Sequence, residues 1–510
     1  MEPLLTREQI RSVDQYAIQQ LGIPELLLME HAAIAVADAI SNRFGSSLAF
    51  SKGLVLAGPG NNGADALASV RILEERGCQQ IFVVLVHDDP AKKAAPLVDI
   101  QLSILGKLGI ASGVELTREL LEACDWVIDG IYGTGLKQNL SGKSLEAVQL
   151  VNQFAGKKWV VSVDIPSGLN SDTGKVMGAA VQANETVTLG FLKRGLVTAH
   201  SADYVGKIRL ATIQIPRMVP LVVDAFWYTQ ADVSRLPLRK KSSHKGDFGH
   251  VWVVAGEADK EGACVLTALG ALKTGAGLVS LLGSAEELSR LKPRLPVEVM
   301  TEQLTLEFFK QTPRGSIVMG PGLGVQHFEK VRACLASQWP VVLDADALTL
   351  LAQHQKELLP LFKNRKNTAT VLTPHPKEAA RLLGTTVEEV ENDRFQAVQQ
   401  LAEKYQSYVL LKGKGTCIRG PQGPTFVITQ GDSGLAKGGS GDLLSGILGT
   451  LLLQGLSHQQ ALLLGAYLHG RASELLTQKT GTNRASLPSE IAGQLTTALS
   501  ELENENLHSR

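Results

Sequence analysis

Short apolar runs that exit into a glycine or an aspartate, and then into a helical pattern, recur along this whole chain. Residues 54–57, 81–86, 126–129 and 160–163 are such runs in the first half. Residues 251–255, 278–282, 316–319 and 341–343 repeat the pattern in the second, where the runs 370–372 and 408–411 exit instead into Thr-Pro-His-Pro and Lys-Gly-Lys-Gly. Strands alternating with helices pair in parallel, because each crossover returns the chain to the same end of the sheet. Ligands then bind at the strand C-terminal ends. The pattern therefore predicts an α/β protein whose functional residues lie in the turns after strands. Fifty glycines and 5% aromatic residues suit many tight turns of this kind. A chain of 510 residues exceeds a single hydrophobic core. The polar, basic stretch 238–243 opens the second set of strands, and domains of 1–225 and 226–510 are expected.

The formal charge balance is zero, which gives no reason to expect a nucleic-acid or anionic-membrane partner. No run of 18 apolar residues exists, and the first residues lack a signal-peptide core. Five widely spaced cysteines without a Cys-x-x-Cys read as free thiols, so a reducing cytoplasm is expected.

The stretch Lys437-Gly438-Gly439-Ser440-Gly441-Asp442 precedes an apolar helical pattern. Glycines at a helix start let several N–H groups converge where the helix carries positive partial charge, which suits an anion. Asp442 falls in the first turn, where that field favours its ionised form. An anion hole beside a carboxylate is what phosphoryl transfer to a hydroxyl requires. A capped core helix with a glycine-rich start fits the same spacing.

In the first half, Thr6 and Gln9 form a capping-box pattern. Gly58-x-Gly60-x-x-Gly63 follows a strand and opens a helix, as in a dinucleotide-binding turn, and Asp88 and Asp89 stand where a ribose-binding acid would be. Asn62 and Asp65, however, put oxygen acceptors where a pyrophosphate needs donors; such oxygens suit a monovalent cation better. Asp129 and Asp164 each end a strand, so each either caps the following loop or faces a ligand on the rim. In the second half, Gly320–324, Asp344 and Asp346 follow strands. His375, between Pro374 and Pro376, sits on a stiff loop suited to a contact role. Lys412 and Lys414, among glycines, could grip nucleotide phosphates, though no Walker A loop is present.

Taken together, residues 5–215 resemble the NAD(P)HX epimerase domain. The ordered set of His244–His250, Gly320–Gly324, Leu343–Leu348, Thr373–Pro376, Lys412–Thr416 and the 437–446 stretch resembles the ADP-dependent NAD(P)HX dehydratases of the ribokinase-like superfamily. The resemblance implies an N-terminal Rossmann-like parallel sheet sandwich and a C-terminal ribokinase-like α/β/α domain. The implied activity is repair of hydrated nicotinamide nucleotides: epimerisation of the R and S hydrates, then dehydration of the S hydrate with ADP. In the first domain it implies that Asn61, Asn62, Gly63, Ala64, Asp65, Gly133, Thr134, Gly135, Leu136, Lys137, Gln138, Asn139 and Asp164 bind the hydrate. Asp164 would be the acid/base, and Asn62, Asp129 and Ser167 would hold potassium. In the second, Ala263, Gly324, His375 and Asp442 would bind the hydrate, with Asp442 catalytic. Lys412, Gly413, Lys414, Gly415, Thr416 and Gly441 would bind the adenine nucleotide, with magnesium. Substrates would be NADHX, NADPHX and ADP, and a homo-oligomer of four or more chains is implied. The sequence departs from the family pattern at His31, Ala64, Ala66, Glu257, Lys377 and Leu435; a methyl at Ala64 would narrow the approach to a phosphate. Two other readings are a small-molecule kinase fused to a nucleotide sensor, and a dehydrogenase.

Overall fold

The apolar runs read above become strands in a computed structural model that describes residues 1–88, 93–216, 219–234, 236–237, 239–365 and 368–508. Asp89 and Leu238 lie outside the described residues. The chain divides into two units, Glu2–Ala225 and Phe226–Arg510.

The first unit contains β1 (Glu2–Leu5), β2 (Lys52–Ala57), β3 (Gln80–Leu85), β4 (Trp126–Gly130), β5 (Trp159–Val163), β6 (Glu185–Leu189), β7 (Leu192–Lys193) and β8 (Lys207–Ala211). Six of these form a parallel sheet in the order β3-β2-β4-β5-β6-β8, and β1 pairs in parallel with β7. The strand reversal between β2 and β4 opens a crevice at their C-terminal ends, where ligands of such sheets bind. The Thr6 capping box is present: Gln9 N–H donates to Thr6 Oγ1, and Thr6 N–H donates to Gln9 Oε1 at 2.8 Å. The helix it opens, Arg7–Gln15, runs into a π-helical turn, Tyr16–Gln20. The last strand of this unit, β8, ends at Ala211. Gln214 has φ +62°, a left-handed conformation that breaks an extended run.

The second unit contains β9 (Ala225–Tyr228), β10 (His250–Val254), β11 (Leu278–Gly283), β12 (Met300–Gln303), β13 (Ser316–Met319), β14 (Val341–Leu343), β15 (Thr370–Leu372), β16 (Tyr408–Leu411), β17 (Thr416–Arg419) and β18 (Thr425–Ile428). Strands β12-β11-β10-β13-β14-β15-β16 are parallel, and β16-β17-β18 continue antiparallel. Val251, Val253, Val318, Val342 and Val371 are buried against Leu444 and Leu448 of the helix Ser440–Leu451.

That helix crosses the helix Glu261–Thr274 at very short range. A Cβ on Gly446 would lie 1.9 Å from the carbonyl oxygen of Thr267, and one on Gly270 would lie 2.2 Å from that of Leu443. Absent side chains at both positions let the two backbones touch, which fixes where the helix carrying Asp442 begins. Gly446→Val should therefore destabilise this unit by about 2 kcal/mol or more, the range of overpacked cores. Calorimetric unfolding checks this; an unchanged transition would mean that the contact relaxes freely.

Candidate active sites

In the first unit the turns after β2, β4 and β5 and the helices Arg7–Gln15, Glu25–Phe44 and Asn61–Glu75 enclose a cavity of about 540 Å³. Asn61, Asn62, Asp65, Gly133, Thr134, Gly135 and Asp164 line it. Gly133 lies close against both polar groups: a Cβ would stand 3.1 Å from Asn62 Oδ1 and 3.4 Å from Asp164 Oδ2. Leu136, Lys137, Gln138 and Asn139 are not among the lining residues. Gly63 packs under the turn, where a Cβ would meet the Gly58 carbonyl oxygen at 2.0 Å. Ala64 and Ala66 are buried in the core beneath the helix, so the methyl of Ala64 does not narrow the ligand's approach.

Asp164 sits at φ +68°, a left-handed conformation that Asp tolerates better than most residues, and this aims its carboxylate into the cavity. Asp164 Oδ1 accepts from Leu189 N–H at 3.1 Å and is paired with the buried ammonium of Lys193. Lys193 also donates to Thr188 Oγ1 and the Leu189 carbonyl, both at 2.9 Å. Neither Lys193 nor Asp14, which also lines the cavity, stands in a local motif, and sequence reasoning missed both. Burial, followed by the charge of Asp164, raises the Asp14 carboxyl to about 6, with Lys193 opposing. Asp65, fully enclosed, is raised well above the carboxylate range, first by burial and then by Asp164, Glu25 and Asp14.

Asp129 is a strand-end cap. It accepts from Ser162 Oγ at 2.8 Å, Ser167 N–H at 2.9 Å, Ser167 Oγ at 2.5 Å and Ile131 N–H at 3.3 Å. Burial raises its carboxyl, and the bonds from Ser167 and Ser162 oppose the shift. Asn62, by contrast, keeps a buried Nδ2 without a partner. The amide, carboxylate and hydroxyl oxygens of Asn62, Asp129 and Ser167 are donors that fit an alkali cation. Asp129 and Ser167 would each exchange a present bond for the ion.

In the second unit Asp442 lies in the first turn of the helix Ser440–Leu451. Its N-cap is Gly439 at φ +95°, no side chain caps this end, and the buried Ser440 hydroxyl has no partner. An uncapped N-terminus with an orphaned hydroxyl is a site built for an anion. Beneath it Lys412 Nζ donates to Asp344 Oδ1 at 2.7 Å, and Ser445 Oγ donates to Asp344 Oδ2 at 2.9 Å. A Cβ on Gly441 would stand 3.2 Å from Lys412 Nζ. Burial lowers Lys412, but Asp344 and Glu378 outweigh it and hold the ammonium above its ordinary range. The carboxyl of Asp442 is raised to about 6, by burial first and then by Asp344, with Lys412 opposing. This reverses the expectation from the helix field: desolvation and a second carboxylate outweigh the N-terminal dipole.

His375 caps the helix Pro376–Leu383. Its Nδ1 accepts from the N–H groups of Lys377 at 3.1 Å and Glu378 at 3.3 Å. Burial and Lys412 lower it, so the neutral ring presents Nε2–H as a donor. Glu378, unnoticed in the sequence, is raised to about 7 by burial, against Lys412. Asp346 Oδ2 accepts from Gly324 N–H and Lys260 Nζ, both at 2.9 Å. A Cβ on Gly322 would stand 3.2 Å from that of Ala263, which sets Ala263 against the turn 320–324. Lys412 and Lys414 are not free phosphate grips: Lys412 is bound to Asp344, and Lys414 donates to the carbonyls of Thr429 at 2.8 Å and Gly431 at 3.0 Å. Gly413, Lys414 and Gly415 connect β16 to β17, and Thr416 begins β17. Glu257, one of the departures, joins Glu287 and His327 in the sole metal-like grouping among the described residues. Lys330 and Arg290 already neutralise it, at 3.2 Å from Glu287 and 3.6 Å from Glu257.

The family model described as NAD(P)H-hydrate dehydratase matches residues 251–496, and that of the YjeF-related protein N-terminus matches residues 25–195. The bifunctional NAD(P)H-hydrate repair enzyme of Moorella thermoacetica is 33% identical, covering 98% of this chain and 97% of its own. Those of Coxiella burnetii and Escherichia coli are 34% and 32% identical, covering 94% and 93% of this chain and 96% and 90% of theirs. The chain belongs to the bifunctional NAD(P)H-hydrate repair enzymes. A solved ADP/ATP-dependent NAD(P)H-hydrate dehydratase from Bacillus subtilis is 29% identical, with a TM-score of 0.47, covering 54% of this chain and 98% of its own. Within this repair-enzyme family the chain carries both matched regions, one in each unit.

Proposed function

We propose that the first unit epimerises NADHX and NADPHX at the carbon carrying the hydroxyl, and that the second dehydrates the S hydrate with ADP. The observation that carries this reading is the pairing of an uncapped helix N-terminus with the carboxylate of Asp442, which has no hydrogen bond among the described residues. Asp442 takes the proton of the substrate hydroxyl. The phosphoryl group then passes from ADP to that oxygen, leaving AMP. The N–H groups around Ser440 and Gly441 stabilise the charge that develops on the moving group. Phosphate next departs with the electrons of the C–O bond, driven by the ring nitrogen. Loss of a proton from the adjacent carbon restores the dihydronicotinamide.

The Lys412 ammonium, fixed by Asp344, holds the positive field of the site, and neutral His375 offers Nε2–H to the hydrate. Gly413, Lys414, Gly415, Thr416 and Gly441 hold the adenine nucleotide through backbone groups. Magnesium, when bound, would supply positive charge to the phosphates of the adenine nucleotide. In the first unit Asp164 is the acid/base, and potassium, at Asn62, Asp129 and Ser167, supplies fixed positive charge.

Three outcomes test this. Asp442→Asn should lower ADP-dependent dehydration by about 10²–10⁴-fold, the range for a lost general base, and leave epimerisation unchanged. A base raised to about 6 is available above that pH, so dehydration should fall as pH drops through about 6. A rate in the variant near that of the unaltered protein, read at the reduced-nicotinamide absorbance, would remove Asp442 from the mechanism.

Asp164→Asn should abolish enzymatic epimerisation, separated chromatographically, while S hydrate is still consumed with ADP. Asn suits the left-handed backbone but leaves the buried Lys193 ammonium without its counter-charge, at a cost of about 3 kcal/mol or more. Melting curves must therefore accompany the rates. Equal consumption of both epimers would leave Asp164 a loop cap.

Replacing potassium by a bulky organic cation should slow epimerisation but leave dehydration of the S hydrate in place. An unchanged rate, with no bound ion detectable, would refute the cation site.

A further inference from the structure

The cavity of the first unit holds more acid than its proposed chemistry has used. Asp14, Glu25, Asp65 and Asp164 all line it. The ammonium of Lys193 is spent on Asp164, Thr188 and the Leu189 carbonyl, and Lys93 is the other lysine on the wall. Glu25 accepts from Asn61 Nδ2 at 2.6 Å, which ties it to a substrate-side residue. Asp14 has no hydrogen bond or ion pair among the described residues, although it is largely withdrawn from solvent. It sits one residue before the end of the helix Arg7–Gln15, next to the π-helical turn Tyr16–Gln20. Such turns shift side chains out of α-helical register and concentrate at functional sites. Val13, the preceding residue, is buried in a core cluster with Leu5 and Ile10, so the helix is anchored and the carboxyl is held in place.

The reaction itself requires two proton transfers. The hydrated carbon bears a hydroxyl and the ring nitrogen, and inverting it means opening that bond. The hydroxyl proton leaves to a base and the carbon becomes an aldehyde. The carbon–nitrogen bond breaks with its electron pair on nitrogen, which takes a proton from an acid. Rotation beside the aldehyde and the reverse steps close the ring with the opposite configuration, and no atom is gained or lost.

We propose that Asp14 is the second proton-transfer group of the epimerisation, giving a proton to the ring nitrogen while Asp164 takes the one on the hydroxyl. This rests on the epimerase reading above. Asp14 and Asp164 belong to different elements around one cavity, which lets them address different atoms of one bound ring. The groups that set the charge of Asp14 are Asp164 and Glu25, which favour its protonated form, and Lys193, which opposes them. Asp65 and Lys93 share the same wall. A carboxyl raised to about 6 is an acid below that pH and is lost as one as pH rises through it.

The test uses the full-length protein and R hydrate at about pH 5 to 8, with the spontaneous inversion subtracted. The unaltered protein should lose kcat for epimerisation as pH rises through about 6. Asp14→Asn should lower kcat by about 10²-fold or more, change KM little and abolish that limb. Asp14→Glu should recover part of the rate together with the limb. Dehydration of the S hydrate with ADP should be unaffected in both variants. Asp14→Asn turning over at the unaltered rate, or a profile without a limb in the unaltered protein, would overturn the proposal. The unaltered profile and Asp14→Glu decide the matter should Asp14→Asn fail to fold. An unaltered protein that does not epimerise at all would refute the epimerase reading rather than the role of Asp14.

Discussion

Each unit gathers several carboxylates around one lysine, fully buried in the first and partly buried in the second. Lys193 answers Asp164 in the first, with Asp14, Asp65 and Glu25 on the same cavity wall. Lys412 answers Asp344 in the second, with Glu378 and Asp442 within its field. Burial makes an unpaired carboxylate costly, and one ammonium cannot neutralise several. Burial first, and neighbouring carboxylates after it, raise the Asp14, Asp442 and Glu378 carboxyls to about 6, 6 and 7, so protonation can relieve the surplus charge. Both sites are thus supplied with groups that exchange protons near neutrality, which general acid–base chemistry requires.

The strand pattern was legible because parallel strands covered on both faces are near-continuous apolar runs. Strands 316–319, 341–343 and 370–372 fall where those runs stand. The strands that escaped notice are of other kinds. Glu185–Leu189 alternates threonine with apolar residues, and Met300–Gln303 is an edge strand carrying polar side chains. Thr416–Arg419 and Thr425–Ile428 turn antiparallel around a Pro-Gly hairpin that reads locally as loop.

The site was legible where a residue follows its strand directly, as Asp164 and Asp344 do, or where glycines open a helix, as they do before Asp442. It was illegible where the partner is remote in sequence. Nothing near Asp14 announces the cavity, and Lys193 meets Asp164 across 29 positions. The lysines at 412 and 414 were visible, but their acceptors were not: whether an ammonium is free depends on Asp344, Thr429 and Gly431, which only the folded sheet brings near.

The side-chain-free crossing of Ser440–Leu451 over Glu261–Thr274 also governs what can move. Two backbones in contact behave as one rigid girder, since neither helix can roll or slide without driving a carbonyl into its neighbour. Any closure over a bound nucleotide must therefore come from the loops that face this floor. For the chain's descent, positions 270 and 446 are closed even to alanine, so drift in this unit has to go around them.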